Sequence, residues 1–298
     1  MMKKKHYLFL TVLSMAAVGL TLTINSCKEE EEKVETTITL DKTETGPHDI
    51  GESISATVTI TAESVSSFVY YKVVDQVKSD PVNALSDLTQ SGKTYTYEFS
   101  YVLEQGDDLG TLGFEFEVTD DASVTKVTAL LVTTNLSIPG MFVKNDWKIT
   151  ALTWLGSDVL SPGDAAKIFR FYEDGTYEVD LSANPDFAVA THHFCYWVYK
   201  ETPDNGDTIA VLRLIRRVLS GETALDEYYD HRITAASESE ITMYWDIAVW
   251  GLYDMEQIFT SQPKGDFTPY GTAENAQAVA DFEPFNCDYV DPNLLEIQ

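Results

Sequence analysis

The residues best suited to chemistry are histidines and a cysteine in the second half of the chain. His192, His193 and Cys195 stand close together, and His231 follows later. On a β-strand, His193 and Cys195 would share one face and His192 would lie on the other. Imidazole and thiolate ligands suit zinc or copper. Because Cys-x-x-Cys and paired-histidine spacings are lacking, the favoured interpretation is a surface histidine pair beside a structural cysteine, and no metal is predicted.

Aromatic residues of the same half are the most suggestive binding feature. Aromatic faces bind sugars and apolar ligands, and ligand pockets favour the mouths of barrels. Ordinary core filling is the alternative for any one of them. The ligand-binding candidates are Trp154, Trp197, Tyr199, Arg213, Tyr229 and Trp245.

Arg213 belongs with Arg216 and Arg217 to the one basic cluster after the N-terminal lysines. Inside a barrel such arginines could clamp a carboxylate or a sulfate. Pairing with the abundant acidic residues is the favoured alternative.

Catalytic signatures are missing from the sequence. There is no Gly-x-Ser-x-Gly elbow, phosphate-binding loop, His-Glu-x-x-His or dinucleotide glycine motif. The pairs Asp107-Asp108 and Asp120-Asp121 could supply oxygen ligands to calcium, but solvated turns are the better interpretation. The sequence therefore predicts no catalytic residue and no cofactor, and favours a protein that is not an enzyme.

The N-terminus has the pattern of a secretory signal. Three lysines at positions 3–5 precede an apolar run from Tyr7 to Ile24, which is short for a spanning helix. The run ends in Ile24-Asn25-Ser26-Cys27, which resembles the lipobox of bacterial lipoproteins. That resemblance implies cleavage before Cys27 and acylation of its thiol. The alternative is an uncleaved anchor with a buried free cysteine.

The residues after Cys27 indicate a destination. Lys28 is followed by four glutamates at positions 29–32, which resembles the surface-export signal of Bacteroidota-type lipoproteins. The resemblance implies the outer membrane, with the protein exposed at the cell surface. A run of like charges also predicts a solvated tether. The membrane would be a partner through the lipid on Cys27, since each buried CH₂ of an acyl chain contributes roughly 0.8 kcal/mol.

Composition excludes some partners. The chain has 298 residues and a formal net charge of −28, and residues 1–26 contain three lysines and no acid. This acidic balance argues against nucleic acid, which needs a basic surface. With 44% apolar residues the chain can build a core, and its length favours two domains. Beyond Cys27 only Cys195 and Cys287 remain, and they are candidates for a disulfide in an oxidising compartment or for two separate buried thiols.

Period-two patterns predict a β-sandwich in the first half. Apolar and hydroxyl residues alternate through Ile54–Ala62, and similar alternation follows in Tyr95–Tyr101 and Phe114–Val118. Six or seven short strands in about 100 residues are typical of an immunoglobulin-like sandwich. The region resembles the spacer modules of secreted bacterial proteins.

The second half favours an antiparallel barrel. All five tryptophans follow the connector at Ser137–Gly140, and turn signals lie at residues 173–175, 203–206 and 235–239. Successive hairpins predict an up-and-down meander or barrel. The segments Asn145–Ile149, Phe171–Tyr177 and Arg232–Met243 resemble the lipocalin-like domains of bacterial lipoproteins, over about residues 141–260. A second small sandwich is the alternative.

The predicted organisation is all-β. It comprises a signal peptide (1–26), an acidic tether (27–35), an immunoglobulin-like sandwich (36–136) and a lipocalin-like domain with a C-terminal tail (140–298). The expected function is lipid-anchored binding at the cell surface. The second domain would bind a small apolar ligand, a glycan or an outer-membrane protein. The alternative is a structural or adhesive component of an outer-membrane assembly.

Replacing Cys27 by serine should abolish acylation, because the serine hydroxyl does not replace the lipid-accepting thiol. The intact mass should lose the acyl groups, and the chain should leave the membrane fraction. A Cys287→Ser chain is the control and should keep its lipid. A Cys27→Ser chain that still carries the added mass would contradict the prediction.

Overall fold

The computed structural model describes residues 34–180, 192–204, 207–220, 223–247, 252–269 and 287–297. These residues form mostly β-strands, arranged as a two-sheet sandwich followed by a barrel-like sheet. The prediction of an all-β protein is confirmed. The signal peptide and Cys27 lie outside the described residues. Within those ranges, no helix combines the length and the apolar character needed to cross a bilayer.

The sandwich is built from ten strands in two sheets. The first sheet has the order β1-β3-β8-β7, and the second has β2-β10-β9-β4-β5 with β6 paired to β4. Neighbours are antiparallel except β2 and β10, which are parallel. The strands are β1 (Thr37–Leu40), β2 (Glu44–His48), β3 (Ser53–Thr61), β4 (Ser67–Val74), β5 (Val77–Lys78), β6 (Val82–Asn83), β7 (Thr89–Ser91), β8 (Thr94–Val102), β9 (Leu112–Thr119) and β10 (Thr125–Thr134).

Alternation along these strands makes the sandwich core. Every second residue of β3 and β9 is buried, as the period-two pattern predicts. Phe99 of β8 meets Phe114 and Phe116 of β9 at ring-centroid distances of 4.7 and 5.1 Å. Each fully buried ring contributes about 1.5–3 kcal/mol to folding.

The second half forms a nearly closed, eight-stranded, up-and-down barrel-like sheet. The strand order is β14-β13-β11-β19-β18-β17-β16-β15, and β12 adds to β11. An antiparallel bridge between Thr176 and Tyr196 joins the two ends of this order, and Trp197 N donates to Gly175 O at 2.8 Å. The strands are β11 (Asp146–Trp154), β12 (Ser157–Asp158), β13 (Ile168–Phe171), β14 (Tyr177–Asp180), β15 (His192–Asp204), β16 (Asp207–Ser220), β17 (Thr223–Ala236), β18 (Glu240–Ile247) and β19 (Leu252–Gln262).

The predicted connector begins a short helix that seals the base of the barrel. Helix α1 (Ile138–Lys144) has Ser137 as N-cap, whose Oγ accepts from Gly140 N at 3.0 Å, and a proline in its first turn. Phe142 is fully buried, 4.8 Å from the ring of Phe171. Trp147 Nε1 donates to Phe142 O at 3.1 Å. A second helix, α2 (Pro162–Ala166), lies between β12 and β13.

The turn at Asp107-Asp108 joins the sandwich to helix α1, and it is not a solvated turn. Asp107 pairs with Lys72 and accepts from Tyr101 Oη at 2.9 Å. Asp108 Oδ2 accepts from Ser137 N at 2.7 Å. Both aspartates are buried, so the expectation of solvated acids was wrong here. Protein donors hold both carboxylates in place, and Asp108 Oδ1 has no hydrogen-bond partner among the described residues.

The C-terminal segment lies on the outer face of β15 and β16. Its two 3₁₀ turns span Cys287–Tyr289 and Pro292–Leu295. Cys195 and Cys287 are joined by a disulfide, with an Sγ–Sγ distance of 2.10 Å. Val290 packs with Ile215 and Cys195 in a small buried cluster.

Replacing Phe142 by alanine should destabilise the barrel by about 3–5 kcal/mol, because it empties the ring-filled base. All five tryptophans lie in the second half, so their fluorescence during urea unfolding reports on the barrel. Leu225→Ala is the control, since Leu225 is exposed on the barrel, and it should change stability by less than about 0.5 kcal/mol. Equal effects of the two substitutions would contradict this role for Phe142.

Candidate functional site

The site arises where β17 and β18 separate. Their residues pair in register from Arg232–Tyr244 to Ala236–Ile241. Beyond Arg232 and Tyr244, no further register pair joins β17 to β18 in the described part of the chain. β17 remains paired with β16, and β18 with β19. The two strands therefore diverge and leave an opening in the barrel wall.

An open groove of about 680 Å³ occupies this opening. Aromatic and polar side chains line it together, and we call it the β17–β18 groove. Its lining residues are Tyr228, Tyr229, Asp230, Arg232, Thr234, Tyr244, Trp245 and Asp254.

The rings of Tyr229 and Trp245 line the inside of the groove, and the ring of His231 packs behind Trp245. Alternation along β17 places Tyr229, His231 and Ile233 on the inner face of the barrel, because their register partners include the core residues Leu214 and Leu212. The ring of Trp245 lies 5.3 Å from Tyr229 in an edge-to-face arrangement. It also lies 5.1 Å from the ring of His231. The three rings form a continuous aromatic surface behind the groove.

Two polar atoms in this wall have no hydrogen-bond partner among the described residues. They are His231 Nδ1 and Trp245 Nε1, and both are buried. A buried polar group without a partner costs about 1–3 kcal/mol. Burial lowers the pKa of His231 from its ordinary 6.5 to about 4, so the imidazole is neutral at pH 7. Trp245, which lines the groove, therefore has an indole donor that a hydroxyl group can satisfy, and the neutral imidazole of His231 lies behind it.

The ion pair between Arg216 and Glu227 fixes the orientation of Tyr229. Arg216 donates to Glu227 at 2.8 Å and to Tyr229 Oη at 3.2 Å. Tyr229 Oη in turn donates to Glu227 at 3.1 Å. Burial raises the pKa of Tyr229, which keeps the phenol protonated at neutral pH. Tyr229 is thus held in one orientation at the inner wall.

The outer wall carries exposed aromatic and charged groups. Tyr228 and Tyr244 are 46% and 39% exposed. The Arg213 guanidinium lies 4.6 Å from the centre of the Tyr228 ring, and Tyr244 Oη donates to Glu256. Arg232 is exposed and has no ion pair within the described ranges. The outer wall therefore presents two oriented rings and an available guanidinium.

The structure brings together only some of the aromatic candidates. Tyr229 and Trp245 meet in the groove. Trp197 belongs to the buried base, where its Nε1 donates to Tyr172 O at 3.0 Å. Tyr199 packs against that core and donates to Glu201 at 2.6 Å. Trp154 is partly exposed at the end of β11, level with Met255 and Trp245 on the two adjacent strands.

Arg213 does not lie inside the barrel. Alternation along β16 puts it on the outer face with Ile215, beneath the C-terminal segment. It makes a two-bond ion pair with Asp230, at 2.6 and 2.8 Å. The idea that Arg213 clamps a ligand from within the barrel is therefore corrected. Arg216 and Arg217 are also paired with acids, namely Glu227 and Asp226.

The four metal candidates do not converge. His231 lies behind the groove, against Trp245, whereas His193 lies beside the disulfide on β15. The His192 side chain is outside the described residues. Sequence reasoning did not select His231, Arg232, Asp230 or Tyr244 as ligand-binding residues. The alternation of residues along β17 can be read from the sequence, but the point at which β17 and β18 stop pairing cannot.

Comparisons with known proteins give only remote similarities. No protein-family profile and no curated protein matches the sequence. A sporulation control protein from Bacillus subtilis is 10% identical, with 76% of this chain and 90% of that chain covered and a TM-score of 0.24. A DUF4466 family protein from Parabacteroides merdae is 12% identical, with 76% and 98% covered and a TM-score of 0.22.

A third solved structure is a chimeric titin Z1Z2 tandem functionalised with a fibronectin peptide. It is 10% identical, with 64% of this chain and 96% of that chain covered and a TM-score of 0.23. Similarities at this level carry no conclusion about function.

Burial of neutral His231 should make stability depend on pH. Between pH 6.5 and about 4 the unfolded chain binds a proton that the folded chain does not, so the free energy of unfolding falls as the pH falls. From pH 7 to 4 the wild type should lose about 3 kcal/mol more than a His231→Phe variant. Urea unfolding across this pH range measures the difference.

A His48→Phe variant is the matched control, because His48 lies in β2 of the sandwich and pairs with Glu52. It should retain the extra acid sensitivity of the wild type. Parallel pH curves for the wild type and His231→Phe would contradict the burial of a neutral imidazole.

Proposed function

We propose that this protein is a lipid-anchored protein of the outer-membrane surface that binds a glycan in the β17–β18 groove. The observation that supports it most is the combination, in one groove, of exposed and inner aromatic rings with the unsatisfied indole nitrogen of Trp245. Sugars present C–H faces that pack on aromatic rings and hydroxyls that need hydrogen-bond partners. The groove offers both kinds of contact.

A purely apolar ligand fits this groove less well. Asp230, Arg232, Thr234 and Asp254 line it beside the aromatic rings. An apolar ligand would remove water from these groups without replacing their hydrogen bonds, which costs binding free energy. Hydroxyl groups would replace those bonds.

The base of the barrel favours a ligand at the groove instead of deep inside. Phe142, Trp147, Phe171, Trp197 and Phe259 pack there in one buried cluster. Their ring contacts, such as 5.6 Å between Phe171 and Trp197, fill the interior with protein. A ligand placed there would have to displace close-packed side chains.

The groove is also preorganised. Tyr229 is held by Arg216 and Glu227, Tyr228 lies against Arg213, and Tyr244 is bonded to Glu256. Side chains that are already ordered lose little entropy when a ligand binds. This arrangement favours binding without large rearrangement of the walls.

The N-terminal pattern supplies the proposed location. Acylation of Cys27 and the glutamates at positions 29–32 would hold the chain at the outer leaflet through a solvated tether. The sandwich would then act as a spacer before the barrel. No step of this proposal requires catalysis or a cofactor.

Binding is tested with the full chain on an array of neutral and acidic oligosaccharides, followed by calorimetry with the best ligand. Tyr228→Ala and Tyr244→Ala should each weaken binding about tenfold, or about 1.4 kcal/mol, because each removes an exposed ring of the groove. Tyr289→Ala is the matched control, since Tyr289 is an exposed tyrosine of the C-terminal segment, and it should bind as the wild type does.

Absence of oligosaccharide binding would overturn the proposal, as would binding that neither groove substitution weakens. If the chain instead copurifies in fixed ratio with an outer-membrane protein, the structural or adhesive alternative takes its place.

A further inference from the structure

Three potential metal ligands meet on β15 at the C-terminal segment, apart from the groove. A ring nitrogen of His193 and the Sγ atoms of Cys195 and Cys287 all lie within 4.8 Å of one another. In the structure the two sulfur atoms are bonded to each other. A disulfide sulfur is not a thiolate ligand, so the oxidised cluster lacks two of its three donors.

We propose that reduction of the Cys195–Cys287 disulfide converts this cluster into a binding site for one Zn²⁺ ion, held by two thiolates and one imidazole. The inference does not depend on glycan binding. Two thiolates and a histidine are a ligand set that zinc accepts, and a fourth position would remain open to water.

The chemistry balances with a thiol reductant. Two electrons and two protons from two external thiols turn the protein disulfide into two protein thiols, and the external thiols form a disulfide of their own. Zn²⁺ then replaces the two thiol protons, which are released to solvent.

The C-terminal segment is held in place by contacts that reduction does not break. Arg213 Nη1 donates to the carbonyls of Leu294 and Glu296 at 3.1 and 3.0 Å. Arg217 Nη1 donates to Tyr289 O at 2.7 Å, and Asp291 N donates to Asp226 at 2.9 Å. These bonds keep Cys287 beside β15 after the disulfide is cleaved.

Apolar packing also holds the C-terminal segment against the barrel. Val290 is buried against Ile215, and Leu294 packs on the same cluster. The donors of the reduced site are therefore largely preorganised, which lowers the entropic cost of binding a metal.

The required movements are small. In a tetrahedral site with Zn–S of about 2.3 Å and Zn–N of about 2.0–2.1 Å, neighbouring donor atoms lie roughly 3.5–3.8 Å apart. The ring nitrogen of His193 and the two sulfur atoms already lie within 4.8 Å of one another, close to this spacing. Cys195 is buried, whereas His193 and Cys287 are half-buried, so an ion can enter from solvent.

The test uses the full chain carrying Cys27→Ser, so that Cys195 and Cys287 are its only thiols. The chain is reduced without oxygen, and Zn²⁺ is titrated against a chromogenic chelator. We expect one tightly bound Zn²⁺ per reduced chain and no such ion in the oxidised chain. Co²⁺ in place of Zn²⁺ should give a thiolate-to-metal charge-transfer band.

His193→Ala should weaken Zn²⁺ binding by about tenfold or more, by loss of one ligand. His48→Ala, in β2 of the sandwich, is the matched control and should bind as the parent chain does. Hydrogen exchange of residues 287–297 shows whether the segment stays docked, and Zn²⁺ should increase its protection in the reduced chain.

A reduced chain that binds no stoichiometric Zn²⁺ overturns the proposal, whether or not the segment stays docked. Unchanged affinity in His193→Ala overturns the three-ligand site. Because none of these measurements involves a sugar, failure here is distinct from failure of glycan binding.

Discussion

The groove depends on one feature of the sheet: the pairing of β17 with β18 ends at Arg232 and Tyr244, well before the ends of the two strands. β17 has 14 residues and β18 has eight, yet their register covers only the stretch from Arg232 to Ala236. The sheet can open there because β16 and β19 keep the other edges of the two strands paired. Strand backbone that lacks a neighbour needs solvent or a ligand for its polar groups. Just beyond the last register pair, Trp245 still lies against Tyr229 and His231, and the groove opens beside them.

The closed base permits this opening. Helix α1 places Phe142 among the rings of Trp147, Phe171 and Trp197, so the lower barrel is packed by protein alone. Asp108 ties the beginning of that helix to the sandwich through Ser137 N. Gly140 is required at this contact, since a Cβ there would lie 2.4 Å from Asp108 Oδ2. The packed base therefore supplies folding free energy, which can offset the cost of buried polar atoms without partners near the groove.

Local patterns predicted the strands well because alternation reports directly on which face is buried. The strands expected around Ile54–Ala62 and Phe114–Val118 match β3 and β9 closely. The hairpin expected across Asp174-Gly175 matches β13 and β14. Helix α1 (Ile138–Lys144) was expected to be a connector, although its N-cap Ser137 and its first-turn proline are visible in the sequence. The sequence does not show the buried apolar core into which Phe142 packs.

Local sequence patterns could not predict the contacts between residues that are far apart in the chain. Pairing of Arg213 with an acid was the favoured interpretation and is confirmed by Asp230, but local patterns did not show that residues 287–297 cover its face. The buried state of Asp107 and Asp108 depends on distant partners, namely Lys72, which is 35 residues from Asp107, and Ser137, which is 29 residues from Asp108. Tyr229 and Trp245 were selected as candidates from composition. Their meeting with His231 required the barrel to close and then to part between two particular strands.

The most direct measurement is a crystal structure of the protein with its strongest-binding oligosaccharide. Glycan binding at the groove predicts a sugar ring against Tyr244 or Trp245, with a hydroxyl group bonded to Trp245 Nε1. A sugar bound elsewhere on the barrel or on the sandwich, with Trp245 Nε1 still unpartnered, would contradict it.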